Sequence, residues 1–215
     1  ALHGEGGEDG RLQKLLDDIG LPYVGTGAVA SAMTANKLTA KEQAQSLGIK
    51  TPQSILVMPE GTESVSEITQ NIYRRMAPPW VVKPLTGGGS HRTYFAFTPL
   101  ELAQFVEESV SHGQAFIVEQ YIYGREASVG VIDQFRGQSQ YVLPVVEIKS
   151  AQRGVLTPAD RETEGHAIVC GGCRSDEREL LSNLARKLHT HFGAGDYSQS
   201  EFIVDKQGKI WYLET

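Results

Sequence analysis

Lys83 closes the apolar run Trp80-Val81-Val82 and is followed, after Pro84, by the glycine triplet of "LTGGGSHRT" and by Ser90. Glycines without Cβ atoms let backbone N–H groups converge on an anion. A lysine supplies a point charge and a serine hydroxyl a further donor, so the stretch suits a phosphate. The same residues also describe a hairpin tip after an edge strand. The lysine precedes the glycines, which departs from the P-loop order. No helix opens here and the glycine spacing is not that of a dinucleotide fingerprint.

Acidic residues form two further constellations. "IVEQYIYGRE" ends an apolar run in Glu119 and places Glu126 seven residues on. Carboxylates there could accept from an amine and a sugar hydroxyl, or could be solvated acids at a strand end. In "SEFIVDKQGKIWYLE" a turn at Gly208 brings Glu201 opposite residue 214 or 215. Facing carboxylates repel unless a cation lies between them. Magnesium, held by one or two carboxylates and by substrate phosphates, fits such a pair. The alternative is that Glu201 and Glu214 point to opposite faces, or that a lysine pairs with one of them. Cys170 and Cys173 form "CGGC", but zinc normally takes four ligands and no second cysteine pair exists. Two ordinary loop cysteines are the default. His3, Glu8 and Asp9 lie in a glycine-rich stretch that by itself reads as a solvated acidic turn.

The elements that must position these residues alternate between helix and strand. "RLQKLLDDIG" predicts a short helix with Leu12, Leu15, Leu16 and Ile19 on one face and Gly20 as its stop. "AVASAMTANKLTAKEQAQSLG" predicts a mostly helical segment ending at Gly48. Ser64 and Glu67 form a capping box for a helix over "SVSEITQNIYRRM". "WVVKP" and "TYFAF" pair across the glycine turn, and Thr98 caps a helix with Leu102, Phe105 and Val106 inward. Three strands in a row follow, "AFIVEQYI", "REASVGVI" and "QSQYVLPVVEI", then a polar loop. In "SDERELLSNLARKLHTHFG" the spacing predicts a helix with Leu180, Leu184, Leu188 and Phe192 inward, stopped by Gly193. Consecutive strands point to antiparallel sheets and an α+β fold.

The 215 residues suffice for one large domain or two small ones, and 40% hydrophobic with 21% charged content is ordinary for a globular protein. The net charge of −6 argues against a nucleic-acid surface, and no apolar run reaches membrane-spanning length. Two cysteines and no basic-then-apolar leader make the cytoplasm the expected compartment. The chain starts Ala1-Leu2-His3-Gly4 without methionine and stops directly after an expected strand. A longer parent protein is therefore expected.

"HGEGGEDGRLQKLLDDIGLPYVGTGAVASAMTANKLTAK" resembles the signature stretch of the D-alanine–D-alanine ligases, members of the ATP-grasp superfamily. The similarity resumes at "VVKP", "EQYIYGREASVGV", "LPVVEI" and "YSQSEFIVDKQGKIWYLE", and so covers nearly the whole chain. The resemblance implies two α+β subdomains with the nucleotide between their sheets. Residues 1–25 would be a remnant of a substrate domain, 26–119 the central subdomain and 120–215 an incomplete C-terminal one. It implies that ATP phosphorylates one D-alanine and that the amine of a second attacks the acyl phosphate, giving a peptidoglycan precursor. ATP with Mg2+ or Mn2+, a homodimeric whole protein and a cytoplasmic location come with it. Lys37 and Lys83 stand where the family contacts ATP phosphates. Glu119 stands at the adenine amine, Gln120 and Ile122 at the hinge whose backbone meets the base, and Glu126 at the ribose. Glu201 and Glu214 match the metal ligands, with Glu201 replacing an aspartate. His3 and Glu8 match the loop that places the first D-alanine.

Three departures bear on catalysis. In the glycine loop only Ser90 is retained. The lysine-tyrosine loop is replaced by "GVLTPADRETEG", with Arg161 near the lysine position. Gln199 falls where the family has an arginine that stabilises the tetrahedral intermediate, and losing such a donor costs on the order of 3 kcal/mol of barrier. The metal-binding asparagine of the family would lie just past Thr215. A ligase with a D-lactate or D-serine acceptor, and an ATP-binding module with impaired catalysis, stay open beside the D-alanine reading.

Overall fold

The computed structural model describes residues 6–87, 92–148 and 173–215. Among these, six helices and nine strands form two compact units, one over 52–122 and one that joins 1–51 to 123–215.

The 52–122 unit is built on a four-stranded antiparallel sheet in the order β1-β4-β2-β3. Its strands are β1 (Ser54–Val57), β2 (Trp80–Pro84), β3 (Tyr94–Ala96) and β4 (Phe116–Gln120). Alternation along each strand sends Ile55, Val57, Trp80, Val82, Ala96, Phe116 and Val118 to one face. There they pack on α4 (Val65–Arg75) and α5 (Pro99–Ser111) through Ile68, Ile72, Leu102 and Val106. Both helices begin in capping boxes: Ser64 with Glu67, as expected, and Thr98, the expected cap, with Glu101 as its partner. Such a cap is worth about 1 kcal/mol. The other face of the sheet carries Ser54, Val81, Lys83 and Glu119, as the register Val81↔Glu119 and Ser54↔Glu119 requires.

The second unit is built on the sheet β6-β5-β8-β9, with β7 also paired to β5. β5 (Gly124–Phe135) is the long central strand, flanked by β8 (Tyr197–Asp205) on one edge. On its other edge lie β6 (Gln138–Val142) and β7 (Val146–Ile148), in place of the single strand expected there. β9 (Ile210–Glu214) completes the hairpin with β8 across the turn at Gly208. One face packs on α6 (Ser175–Phe192) through Ala127, Val129, Val131, Phe202, Val204 and Tyr212.

The buried stripe of α6 is Leu181, Ala185, Leu188 and Phe192, while Leu180 is 49% exposed and Leu184 only partly buried. The expected row 180-184-188-192 is corrected here, because a strict four-residue step drifts around a helix of 3.6 residues per turn. Steps of four, three and four keep one face inward.

The N-terminal helices belong to this unit. α1 (Arg11–Asp18) has no buried residue, although Leu15 and Ile19 lie on its apolar side. Gly20 follows with φ of 68°, the left-handed stop that its sequence position suggested. The helical stretch after it is broken at Asn36 into α2 (Ala28–Ala35) and α3 (Lys37–Ser46). Asn36 adopts an extended backbone, and its Oδ1 accepts from the N–H groups of Leu38 and Thr39, each at 3.1 Å. This cap places Lys37 at the first position of α3.

A candidate nucleotide and metal site

The candidate residues fall into two groups, one in the 52–122 unit and one in the other, and in each unit the acidic members lie on the sheet face opposite α4 and α5 or opposite α6. In the 52–122 unit, Lys83 and Glu119 are diagonal neighbours on β2 and β4. Lys83 Nζ lies 2.8 Å from Glu119 Oε2, and both side chains are buried. Glu119 Oε1 also accepts from Ser54 Oγ at 3.0 Å. A buried charge is tolerable only with such partners. Gln120, which follows, is exposed, and its N–H donates to the carbonyl of Gln53 at 2.9 Å. Ile122 is buried at the end of this unit.

In the other unit, Glu201 and Glu214 are cross-strand partners on β8 and β9. The hairpin that places them is regular from Val204↔Ile210 to Phe202↔Tyr212. It then spends one extra residue of β9, so that Glu214 and not Leu213 faces Glu201. The side-chain period of a strand is two. Without this bulge, Glu214 would stand opposite Ser200, on the face that packs against α6. The shifted register continues to the end, where Ser200 Oγ and Thr215 Oγ1 are 2.8 Å apart. Burial pushes the Tyr212 phenol well above its ordinary range, and the charges of Glu214 and Glu201 add to this.

Two lysines of α3, one turn apart, address the end of β9. Lys37 Nζ stands 3.9 Å from Glu214 Oε2. Lys41 Nζ donates to the carbonyl of Leu213 at 2.7 Å and lies 6.0 Å from the centre of the Tyr212 ring. Both lysines are buried. Glu126, on β5 opposite Ile203, falls by register on the same face as Glu201. So does Gln199, exposed opposite Gly130.

Among the described residues no three His, Cys, Asp or Glu side chains converge as a metal cluster. The acidic pair offers two carboxylates. All-oxygen ligation of this kind fits Mg2+ or Mn2+ with phosphate oxygens and water making up the shell, and it does not fit a closed zinc site.

Of the residues singled out from sequence, the structure brings together Lys83 with Glu119, Lys37 with Glu214, and Glu214 with Glu201 as a cross-strand pair. Glu8 is exposed in the loop before α1. His3, Ser90, Arg161 and Cys170 lie outside the described residues. Cys173 forms no disulfide among the described residues and sits beside Arg125 Nη1 at 3.6 Å. Burial pushes its thiol upward, which keeps it protonated.

Sequence reasoning missed Ser54 and Lys41. Ser54 carries no local signal, because its partner is 65 residues away. Lys41 repeats Lys37 at one helical turn, behind an asparagine cap, and that spacing was the available clue.

Comparison with known proteins bears on these placements. The family described as "D-ala D-ala ligase C-terminus" matches residues 44–215. A D-alanine–D-alanine ligase of Pelotomaculum thermopropionicum is 32% identical over 218 residues, covering 100% of this chain and 67% of that protein. One from Aquifex aeolicus is 31% identical, covering 100% of this chain and 69% of its own. One from Pseudomonas putida is 32% identical and is covered to 64%. Among solved structures, the VanG D-Ala:D-Ser ligase of Enterococcus faecalis superposes with a TM-score of 0.81 at 23% identity, over 99% of this chain and 61% of that one. The Bacillus anthracis D-alanine–D-alanine ligase complexed with ATP gives 0.79 at 22%, over 99% and 65%. These likenesses establish an ATP-grasp fold, and the chain spans roughly two thirds of the relatives' length.

Proposed function

The chain belongs to the D-alanine–D-alanine ligase family, and we propose that it is the nucleotide- and metal-handling part of an enzyme that uses ATP to join two D-alanine molecules. The observation that carries this reading is the bulged register that sets Glu201 against Glu214, with Lys37 beside Glu214. Facing carboxylates are unfavourable in themselves and become useful once a hard cation is held between them.

In this reading Lys37 and Lys83 meet the ATP phosphates and Glu201 and Glu214 hold the divalent ion. The ion, when bound, supplies positive charge against the phosphoryl oxygens. Glu119 accepts from the adenine amine, the backbone of Gln120 and Ile122 meets the base, and Glu126 accepts from the ribose. His3 and Glu8 place the first D-alanine. Phosphoryl transfer to a carboxylate brings anions together, so lysines at fixed positions lower the repulsion as the acyl phosphate forms. Ser90 and Arg161 would assist at the reacting groups, where exclusion of water protects the acyl phosphate. The whole protein is proposed to work as a cytoplasmic homodimer. No described helix is long and apolar enough to cross a membrane.

Gln199 favours a second reading, an ATP-binding module with impaired ligation. A neutral amide stands where the family places an arginine, and it cannot supply that positive charge to a tetrahedral intermediate.

The two readings separate in one experiment. Phosphate release from ATP by the whole protein is measured with and without D-alanine, beside thermal unfolding with Mg2+ and ATP. A thermal shift with D-alanine-dependent phosphate release supports the ligase. A thermal shift alone supports the impaired module, and no shift overturns both. Gln199→Arg is expected to raise D-alanine-dependent turnover in the whole protein.

A further inference from the structure

We propose that Lys41 is a positioning residue for the acidic pair, holding the β9 bulge that turns Glu214 toward Glu201. The inference rests on the reading of Glu201 and Glu214 as divalent-ion ligands.

The argument begins with the register. Phe202↔Tyr212 and Glu201↔Glu214 are both pairs of the β8–β9 ladder, so Leu213 is the residue that β9 spends without advancing β8. A bulge removes its residue from regular ladder pairing, and a carbonyl left unsatisfied away from water is destabilising. The Leu213 carbonyl is taken up by Lys41 Nζ at 2.7 Å. Lys41 itself is 1% exposed, which is rare for a lysine unless its charge has partners. Its stem belongs to α3, whose start is fixed by the Asn36 cap, and its ammonium lies over the Tyr212 ring. The anchor is therefore rigid at both ends.

The consequence for the site is discrete. If the ladder ran on without the bulge, Glu201 would face Leu213, and Glu214 would face Ser200 on the core side. A one-residue slip moves a side chain to the opposite face. Lys41 Nζ donates to the carbonyl of Leu213, the residue next to Glu214. It acts through the main chain, one residue from Glu214, and Lys37 reaches the carboxylate itself.

Charge alone and positioning give opposite signs. Removing a cation next to two carboxylates strengthens binding of another cation by relieving repulsion. Losing the bulge weakens it, because the second carboxylate leaves the site. Outer groups that orient metal ligands are worth about 10- to 100-fold in affinity.

The test is a titration of the chain with Mn2+ in the presence of ADP, followed by electron paramagnetic resonance, on wild type, Glu201→Gln, Lys41→Met and Lys41→Arg. Wild type is expected to bind, and Glu201→Gln to bind at least about tenfold more weakly. Lys41→Met, folded by circular dichroism, is expected to weaken Mn2+ about tenfold or more and to alter the spectrum. Lys41→Arg, which restores a donor, recovers most of the loss. If Glu201→Gln binds as wild type does, the acidic-pair reading falls and the Lys41 proposal with it. If Glu201→Gln weakens binding while Lys41→Met leaves it unchanged or tighter, only the Lys41 proposal is overturned. Should Lys41→Met not fold, the wild-type chain decides. With 13C at the Leu213 carbonyl and 15N on lysine, a coupling across the hydrogen bond supports the proposal, and its absence at low temperature overturns it.

Discussion

Lys83 Nζ and Glu119 Oε2 are 2.8 Å apart on neighbouring strands, with both side chains inside the protein. Neither charge is stable there without the other, since desolvating an isolated ion costs more than a sheet can return. Removing one partner of such a pair costs about 3 to 5 kcal/mol, whereas removing both is often close to neutral. Lys83→Met and Glu119→Gln are therefore each expected to lower the urea midpoint, and the double variant to be more stable than Lys83→Met alone. A double variant that loses the sum of the two single effects would show that the pair is not coupled. Lys83→Met is also expected to lose nucleotide affinity, read by titration with a fluorescent ATP analogue.

The acidic pair behaves in the opposite way. Glu201 and Glu214 face each other across β8 and β9, and like charges in that position are unfavourable by up to about 1 kcal/mol. Lys37, at 3.9 Å from Glu214 Oε2, offsets part of this. Glu201→Gln is expected to leave the melting temperature unchanged or slightly higher in the absence of divalent ions. It is expected to lose the upward shift that Mg2+ and ATP give wild type. A variant that melts lower without metal would mean that Glu201 is a structural acid.

How much of this was legible in the sequence depends on the range of the interactions involved. The caps at Ser64 and Thr98 were readable because both partners lie within four residues. The pairing of Glu201 with Glu214 was readable because the turn at Gly208 sets its register to within one residue. The exact partner was not, because it is set by a one-residue bulge of β9, whose Leu213 carbonyl meets Lys41, 172 residues earlier. The inward face of α6 was misplaced by following a four-residue row instead of the 3.6-residue period. The break at Asn36 was hidden inside a stretch that is helical on both sides. Resemblance to known ligases suggested roles for Lys37, Lys83 and Glu119, but not the contact between Lys83 and Glu119.

Arg125 binds two buried acids outside the candidate site, Glu147 through Nη1 at 3.1 Å and Glu177 through Nη2 at 2.8 Å. The hydrogen bond from Arg125 holds the Glu177 carboxyl below its ordinary value of 4.5, against the opposing effect of burial. A carboxylate whose pKa is lower in the folded chain contributes stability above its unfolded pKa. That contribution is lost as pH falls through the folded value. Glu177→Gln is thus expected to be less stable than wild type near neutral pH, with the gap closing below about pH 4.5. Urea midpoints measured across the acid range check this. A gap that stays constant with pH would assign the loss to packing instead of charge.

Gly124 opens β5 two residues before Glu126, and its backbone is not in the left-handed region. The constraint on it is space. A Cβ at this position would run into Ile203 Cγ2 and the carbonyl of Val204 on β8. One of those neighbours is backbone, so it cannot swing aside as a flexible side chain would. Gly137 in the β5–β6 turn is the reverse case, with φ of 75° and nothing within 4 Å of an added Cβ. Gly137→Ala is expected to cost about 1 kcal/mol from conformation alone. Gly124→Ala is expected to cost more, about 2 kcal/mol or above, by forcing the first pairs of the β5–β8 ladder apart. Because that displacement carries Glu126 with it, Gly124→Ala should also weaken nucleotide binding, while Gly137→Ala should not. Equal effects of the two variants on ATP affinity would remove Glu126 from the nucleotide site.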